Sequence, residues 1–377
     1  MHYKLLLLVM SLAVFCHAET QLKVTVVNHS DRQRSEVVEI EDRAALAMLA
    51  AGNGSLIVTN AFGQEVPWQK TFDGKILIYA TVQPFSNIQY TLGYGSPQKT
   101  VPFVGGRQYA ERKDDISFEN DRIGFRVYGP ALQQSGEKSY GVDLWLKRTP
   151  ELILDEIYEK RHYHLDNGKG LDCYNVGSTL GCGAPAVMVG DSIVYQWCYR
   201  DYRILDTGPL RFTLALDFNP LTVGNDTCIV EHRIMSLDKG SSFCKSSVMY
   251  DGLTAPCTFC TGLVIHRGDT LSVGIRNDYL YYADPTRDPQ KYNFQIYTAV
   301  LFPNGIDYVG RRMFDCPVKD ALGHVLGKRR MDAKEVYTYY IGAAWSEYDV
   351  RTLQEWEVRI QQFMDNKRCP LEVFVEK

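Results

Sequence analysis

Short segments in which apolar and polar residues alternate, each ended by turn residues, recur along nearly the whole sequence. Four of them precede residue 105, at residues 22–27, 55–59, 75–80 and 87–92. Six more follow, most of them longer, at residues 122–128, 141–146, 210–218, 228–236, 271–275 and 293–301. A two-residue period is typical of strands that bury one face. The pattern therefore predicts antiparallel sheets that stack face to face.

Helices are predicted at only two places. Residues 43–51 are rich in alanine, and within residues 352–365 the side chains of Trp356, Ile360 and Phe363 recur at helical spacing. A Gly- and Pro-containing segment that ends at Gly106 favours a linker. We therefore expect an all-β chain with few helices, made of a small N-terminal β-sandwich module over residues 19–105 and a larger antiparallel β domain over residues 106–377.

Residues 1–18 have the pattern of a secretory signal peptide. A short segment ends at Lys4, an apolar run covers residues 5–15, and Cys16 and Ala18 supply small residues before the cleavage point. The run is shorter than the roughly 20 residues that a membrane-spanning helix needs. We expect a secreted or periplasmic protein without a membrane span; a lipoprotein acylated at Cys16 is the alternative.

The charge balance bears on the class of partner. The 41 Lys and Arg residues are outnumbered by 45 Asp and Glu residues, which gives a net charge of −4. A protein that holds a nucleic-acid backbone usually carries a basic excess. We therefore expect no nucleic-acid partner.

The cysteines beyond the predicted signal peptide all lie after residue 170. Cys257 and Cys260 have the spacing of a redox or zinc motif, but no second Cys or His pair follows at ligand distance. The pair is therefore interpreted as structural, either as a disulfide or as two buried thiols.

A first group of candidate site residues lies within residues 118–130. A strand over residues 122–128 would place Arg122, Arg126 and Tyr128 on one face and the apolar residues 123, 125 and 127 on the other. Two guanidinium groups and a phenol suit a cleft wall for an anionic ligand. A solvated strand face with surface ion pairs is the alternative.

A second group lies within residues 161–177. His162 and His164 share one face of an extended segment, and Asp172 and Tyr174 follow. Imidazole and phenol groups can exchange protons near neutral pH, so this cluster is a candidate for acid–base chemistry. Residues 166–172 also hint at a calcium loop, although the spacing differs from the twelve-residue pattern.

Two further features have competing interpretations. The Gly-dense residues 177–185 favour a tight turn between strands, with carboxylate binding by backbone N–H groups as the alternative. Trp145, Trp197 and Trp345 are candidate sugar platforms, although a tryptophan in a β-sandwich is more often in the core.

Several of these strings together resemble a family of exported proteins from polysaccharide-degrading bacteria, classified as a domain of unknown function. The matching strings are residues 119–130, 141–148, 163–174, 177–183 and 342–345. The resemblance implies a galactose-mutarotase-like supersandwich, a fold group that also includes polysaccharide lyases. It further implies a role in pectin- or ulvan-type degradation, in which some relatives act as oligosaccharide dehydratases. Ser346 and Glu347 depart from the continuation expected in the family after Trp345.

This resemblance leads to the hypothesis of a β-eliminating dehydratase or lyase that acts on acidic, uronate-containing oligosaccharides. Such an enzyme must neutralise the uronate carboxylate while a base removes H5 and an acid protonates the departing oxygen. The predicted catalytic residues are His164, Tyr174, His162, Arg126 and Asn120. The predicted substrate-binding residues are Arg122, Tyr128, Trp145, Arg148, Asp172 and Trp345. The chemistry requires no cofactor, and a divalent metal such as calcium is the alternative.

Three other functions stay open. A glycoside hydrolase would use two carboxylates, for which Glu119 and Asp172 are the candidates. A non-catalytic glycan-binding protein would use tyrosine and tryptophan platforms, and a mutarotase would act on released sugars.

Overall fold

The computed structural model describes residues 21–52, 55–160, 163–267, 272–285 and 294–377. Antiparallel strands dominate these residues, which confirms the predicted all-β fold. The predicted signal peptide lies outside the described residues. Within the described residues, no helix is long and apolar enough to cross a membrane.

Two small sheets form the N-terminal module. Sheet 1 has the order β26 (Glu372–Glu376), β1 (Leu22–Asn28), β6 (Ser86–Tyr94) and β3 (Leu56–Asn60). Sheet 2 has the order β2 (Arg34–Ile40), β5 (Ile76–Val82) and β4 (Trp68–Lys70). Helix α1 (Arg43–Ala51) begins after Asp42, whose side chain accepts hydrogen bonds from two N–H groups of the first turn. The buried apolar residues of both sheets form one cluster, so the sheets pack face to face.

Sheets 3 and 4 each contain five strands. Sheet 3 has the order β11 (Gly170–Leu171), β10 (Asp143–Lys147), β9 (Ile123–Val127), β8 (Asp115–Asn120) and β7 (Val104–Tyr109). Sheet 4 has the order β13 (Ser192–Val194), β12 (Cys182–Val189), β19 (Cys257–His266), β24 (Ala321–Met331) and β23 (Tyr308–Val318). A parallel bridge between Val142 and Gly181 joins them. Gly181 is required there because it has a positive φ of 55° and a Cβ would collide with the Val142 carbonyl oxygen.

Sheet 5 is the largest. Its main order is β14 (Tyr199–Thr207), β15 (Arg211–Phe218), β17 (Asp226–Asp238), β18 (Phe243–Asp251), β25 (Tyr337–Trp345), β22 (Gln295–Leu301), β21 (Tyr279–Pro285) and β20 (Val273–Ile275). Strand β16 (Leu221–Val223) pairs with β17 beside this path. One apolar cluster joins Phe118 of sheet 3, Phe259 of sheet 4 and Phe212 of sheet 5. Sheet 5 therefore stacks on sheets 3 and 4, as the alternating pattern predicted.

Helices cover the outer faces of this sandwich. Helix α2 (Pro130–Gln134) follows β9, and α3 (Leu154–Glu159) packs Ile157 and Tyr158 against Trp145 of sheet 3. Helix α4 (Leu353–Arg368) packs Trp356 and Ile360 against sheet 5. The two helices predicted from the sequence, at residues 43–51 and 352–365, are therefore confirmed as α1 and α4. Helix α4 continues three residues beyond its predicted end. A 3₁₀ turn spans Ala110–Arg112.

The two ends of the chain meet in sheet 1. Val24 of β1 lies opposite Val375 of β26, and Leu371 joins the module's apolar cluster. Sheet 3 begins at Val104. The domain boundary at residue 105 stays a prediction. Residues 372–376 were assigned to the larger domain, but in the structure they pair with β1 of the N-terminal module.

All nine cysteines beyond residue 170 lie within the described residues and are free thiols. Cys257 and Cys260 are both buried on β19. Of the two structural interpretations of this pair, the structure shows the two buried thiols.

Candidate functional site

The outer face of sheet 3 carries polar side chains that are buried because α3 covers them. Strand alternation places Ile116 and Phe118 in the core and turns the intervening side chains outwards, toward Tyr158 of α3. The polar side chains of this face are Asp115, Ser117, Glu119, Arg126, Asp143 and Lys147, and each is buried. Such a face is costly unless its charges are paired.

Arg126 pairs two of these carboxylates across the strands. It is the register partner of Asp143, and its Nε donates to Asp143 Oδ2 at 2.9 Å. Its Nη2 donates to Asp143 as well, and to Asp172 Oδ2 at 2.7 Å. The Tyr128 hydroxyl donates to the same Asp143 oxygen at 2.5 Å. Arg126 is only 4% exposed, so this network fixes the position of Asp172 rather than facing solvent.

Two carboxyl groups of the cluster bind protons unusually well. Burial raises the pKa of Asp115 to about 7, although Arg126 and Arg112 oppose the shift. Neither oxygen of Asp115 has a hydrogen-bond partner. Burial also raises the pKa of Asp172 to about 6, and the neighbouring Asp143 adds to that shift. The pKa values of both carboxyl groups therefore lie closer to neutral pH than that of an exposed aspartate.

His164 lies above this network and is open to solvent. Its Nδ1 is 2.9 Å from the backbone carbonyl oxygen of Asp172 and 3.6 Å from the carboxylate of the same residue. A carbonyl oxygen can only accept, so Nδ1 carries the proton and the lone pair of the neutral ring is on Nε2. The imidazole is 58% exposed and packs on Tyr163 at 4.5 Å between ring centroids. The position suits a general base.

Arg148 lies beside the same loop. Its Nη2 is 2.9 Å from Asp166 Oδ2 and 3.5 Å from Glu347 Oε2, and its guanidinium group lies 4.7 Å from the ring centroid of Trp345. The Arg148 side chain is 34% exposed. We call His164, Asp166, Arg148 and Glu347 the rim, because these side chains are the accessible part of the site.

A second buried acid–base pair was not foreseen from the sequence. His266 Nδ1 is 2.8 Å from Asp284 Oδ2, and His266 Nε2 is 2.7 Å from the carbonyl oxygen of Asn175. The Asp284 carboxylate raises the pKa of His266 to about 9 against the effect of burial. The ring of Tyr174 meets His266 edge-on at 5.9 Å. This pair anchors the irregular segment around Asn175 that follows the His164 loop.

The structure brings together five of the predicted residues and gives them different exposures. Arg126, Tyr128 and Asp172 form the buried network, whereas His164 and Arg148 are on the accessible rim. His162 lies outside the described residues. Strand β9 and the loop of residues 163–174 therefore meet, with Arg126 beneath the loop rather than in an open cleft.

Two predicted polar residues lie elsewhere in the fold. The Asn120 amide donates to the carbonyls of Asp238 and Ser241 at 2.6 and 2.7 Å, and its oxygen accepts from two backbone N–H groups of the following turn. Asn120 therefore holds a turn, and no group of its side chain is left to bind a carboxylate. Arg122 pairs with Asp349.

Three aromatic residues predicted to contact the substrate or take part in catalysis are buried instead. Trp145 is fully buried, where its indole N–H donates to Ser117 at 3.0 Å, and Trp345 is 1% exposed beneath Arg148. Tyr174 is buried too, and burial raises its pKa well above the ordinary value. None of the three can touch a sugar in this structure, because large aromatic side chains favour the core.

The carboxylate pair predicted for a hydrolase is buried. Glu119 pairs with Lys147 and accepts from the N–H groups of Ile153 and Leu154 at 2.6 and 2.7 Å, at the start of α3. Asp172 is 2% exposed. Among the residues that the structure describes, no group of three or more His, Cys, Asp or Glu side chains is arranged to hold a metal ion.

The Gly-dense loop of residues 177–185 forms the turn into β12. Gly177, Gly181 and Gly183 all have positive φ values, which is the tight turn that the sequence favoured. Cys182 in this segment is fully buried.

Sequence reasoning missed Asp143, Asp115 and Glu347 as members of the site. A charged residue within an otherwise apolar strand was the available signal for Asp143. Glu347 is one of the two residues where the chain departs from the expected continuation, and it contacts Arg148.

The sequence of this chain matches a known family. The family model of a domain of unknown function, DUF4861, matches residues 26–373, and the chain belongs to this family. The chain is 30% identical over 319 residues to the uncharacterized protein P7 of Formosa agariphila, which covers 80% of this chain and 78% of that protein.

Three solved structures are similar at low sequence identity. An alpha-mannosidase from Enterococcus faecalis has a TM-score of 0.49 at 8% identity, with 95% of this chain and 46% of that chain covered. A glycosyl hydrolase family 38 protein from the same organism has a TM-score of 0.49 at 9% identity, with 95% and 47% covered. A putative kojibiose phosphorylase from the human microbiome has a TM-score of 0.32 at 9% identity, with 72% and 37% covered. The chain spans less than half the length of each of these proteins.

Proposed function

We propose that this protein is a carbohydrate-active enzyme that carries out β-elimination, as a dehydratase or lyase, on uronate-containing oligosaccharides such as those of pectin or ulvan. The observation that carries the proposal is the accessible imidazole of His164, whose tautomer is set by the carbonyl of a residue that a buried ion-pair network holds in place. The proposal includes the galactose-mutarotase-like fold group, which the family resemblance implies, and a location outside the cytoplasm, which the predicted signal peptide implies.

His164 is the base in this reaction. Its Nε2 lone pair removes H5 of the uronate, a double bond forms between C4 and C5, and the bond from C4 to the departing oxygen breaks. The imidazolium can return the proton to that oxygen when both lie on the same side of the ring. Asp172 is a positioning residue: it holds Nδ1–H through its carbonyl and lies close enough to stabilise the imidazolium.

Arg148 binds the uronate carboxylate. Arg126, the residue first predicted for this role, is buried and paired with Asp143 and Asp172 inside the protein, where a substrate cannot reach it. Arg148 is on the rim, and its contact with Glu347 is long at 3.5 Å, so a substrate carboxylate can replace it. A guanidinium group at this point stabilises the negative charge that spreads onto the carboxylate as H5 leaves.

The test is incubation with a panel of uronate oligosaccharides followed by mass spectrometry and near-ultraviolet absorbance. Elimination creates an absorbing unsaturated uronate, and a dehydratase product has lost the mass of one water. His164→Ala is expected to abolish turnover and to leave the melting temperature nearly unchanged, because the side chain is mostly exposed. His29→Ala is the matched control, since His29 is 67% exposed and pairs with Glu372 in the N-terminal module.

Two results would contradict the assignment. Full activity of His164→Ala would remove the base from the mechanism, and a large loss of thermal stability would give this histidine a structural role. Binding of the oligosaccharides without turnover would favour the glycan-binding function instead.

A hydrolase is the second candidate, on one specific observation. Asp166 and Glu347 are both on the rim and both contact Arg148, so two carboxylates with accessible surface flank one point. Hydrolysis would give products that have gained the mass of one water and do not absorb. Asp166→Asn and Glu347→Gln would then abolish turnover, whereas elimination predicts that Glu347→Gln is partly active.

A further inference from the structure

A separate cavity of about 770 Å³ lies on sheet 4, between the β12–β13 hairpin and the edge strand β23. It is lined by Ile193, Tyr195, Tyr308, Arg312, Phe314 and Lys328, among others. None of these residues belongs to the rim or to the buried network of sheet 3. The cavity is the size of the clefts that hold small ligands.

Two buried N–H donors at this place have no acceptor. Arg312 of β23 and His324 of β24 are direct register partners, so their side chains share one face of the sheet. His324 is fully buried, and its Nε2 accepts from the Leu180 N–H at 3.1 Å. Its Nδ1 has no hydrogen-bond partner, and the same is true of Arg312 Nη1. Unpaired buried donors are rare in native proteins, so the pair calls for an explanation.

The protonation state of His324 makes the missing partner an acceptor. Burial lowers the pKa of His324 to about 3, and the positive charge of Arg312 adds to the shift, so the ring is neutral at neutral pH. Because Nε2 accepts a hydrogen bond, the ring proton is on Nδ1. Both orphaned groups are therefore donors, and a group that satisfies them must accept.

The charges around the cavity favour an anion. Among the described residues, no carboxylate lies within ion-pairing distance of Arg311, Arg312 or Lys328. Asp191 and Asp315 also line the cavity, so the cations are in excess by one. Lys328 lies 4.6 Å from the ring centroid of Tyr308, where it has no anionic partner.

Aromatic side chains supply the walls. Tyr195 stacks on Tyr140 at 5.3 Å, and Phe314 meets the His324 ring edge-on at 5.1 Å. Tyr308 is 50% exposed. Aromatic faces beside an unpaired guanidinium group are the combination that binds a sugar ring bearing a negative group, because the ring packs on the aromatic face and the anion takes the charged hydrogen bond.

We propose that this cavity is a second binding site, specific for an anionic saccharide whose carboxylate accepts a hydrogen bond from Arg312. His324 packs behind the lining residues Tyr195 and Phe314. The choice of a uronate as the anionic sugar rests on the proposed function, whereas the need for an acceptor rests on the unpaired donors and its negative charge on the excess of cations around the cavity. The site would hold an acidic chain at a distance from the rim.

The test is hydrogen–deuterium exchange of the full chain, followed by mass spectrometry, with a galacturonate trisaccharide and with a neutral galactose trisaccharide as probes. His164→Ala is used as the background so that no probe is consumed; if the wild type shows no turnover, the same experiment is run on the wild type. Exchange is expected to slow in β23, an edge strand with several exposed residues, with the acidic probe and not with the neutral one. Arg312→Gln is expected to weaken this binding by about tenfold or more, the loss typical of a charged hydrogen bond.

Arg330→Gln is the matched control, because Arg330 lies on β24, is 70% exposed and pairs with Asp332. Phe314→Ala tests the aromatic wall separately from the charge. The proposal fails if Arg312→Gln binds like the parent, if the neutral probe protects β23 equally, or if protection is confined to residues 163–172. That last result would leave the proposed activity at the rim intact, so the two proposals fail independently.

Discussion

Replacing Arg126 with methionine tests whether the buried network holds the site together. Methionine keeps most of the side-chain volume and removes the positive charge that Asp143 and Asp172 both contact. All three side chains are at most 4% exposed, so solvent cannot replace the lost partner. The variant therefore leaves two carboxylates buried without their cation.

The expected cost follows from that burial. Breaking a buried ion pair by removing one partner usually lowers the free energy of unfolding by about 3–5 kcal/mol. The loss should be greatest at pH 8 and smaller at pH 5. Asp172 has a pKa of about 6 even with Arg126 present, so without the arginine it is protonated at pH 5 and needs no cation.

The measurement is urea unfolding at both pH values, with Arg107→Met as the control. Arg107 also bridges two carboxylates, Glu111 and Asp155, at 2.9 and 2.8 Å, but its side chain is 44% exposed. Its loss should therefore cost less than about 1 kcal/mol. The reasoning is refuted if both variants lower the free energy of unfolding by similar amounts. It is also refuted if Arg126→Met lowers the free energy of unfolding as much at pH 5 as at pH 8.

The other predictions concern the same face of sheet 3. Asp115 has a pKa of about 7 against 3.8, a shift worth at most about 4 kcal/mol at roughly 1.4 kcal/mol per unit. The folded state therefore binds a proton that the unfolded state releases between about pH 4 and 7, and stability from this group is lost as the pH rises. Asp115→Asn should stabilise the protein at pH 8 and have little effect near pH 4; equal effects at both pH values in urea unfolding would contradict this. Lys147→Met should cost about 3–5 kcal/mol, since Lys147 is fully buried against Glu119, whereas Lys169→Met, at a side chain 40% exposed, should cost less than about 1 kcal/mol in the same assay.

The sequence predicted the strands better than it predicted the site. Along β9 the apolar residues 123, 125 and 127 do enter the core, and Arg126 does lie on the opposite face. The two-residue alternation predicts on which face of a strand a side chain lies, and this depends only on neighbouring residues in the sequence. Whether the face is open or covered depends on a distant segment. Helix α3 has six residues and no side-chain cap, so neither length nor capping marked it in the sequence.

The partners of Arg126 could not be predicted from the sequence for a related reason. Asp143 meets it through the pairing register of β9 with β10, and Asp172 meets it after a further excursion of the chain. Neither contact is encoded by sequence spacing. His164 was identified because it shares a short loop with Asp172, and the structure does join the two at 2.9 Å. Trp145 and Trp345 are not sugar platforms, and residue type alone could not show this, because it does not distinguish a core position from an exposed one.

The pairing of β26 with β1 has a consequence for biosynthesis. Val375 lies opposite Val24, so β1 must wait for a strand that is synthesised much later before its sheet is complete. Until then β1 presents an unpaired edge, which other chains can join. The nascent N-terminal module is therefore exposed to aggregation for the whole time of synthesis, and a truncated product that lacks residues 372–376 should retain that hazard permanently.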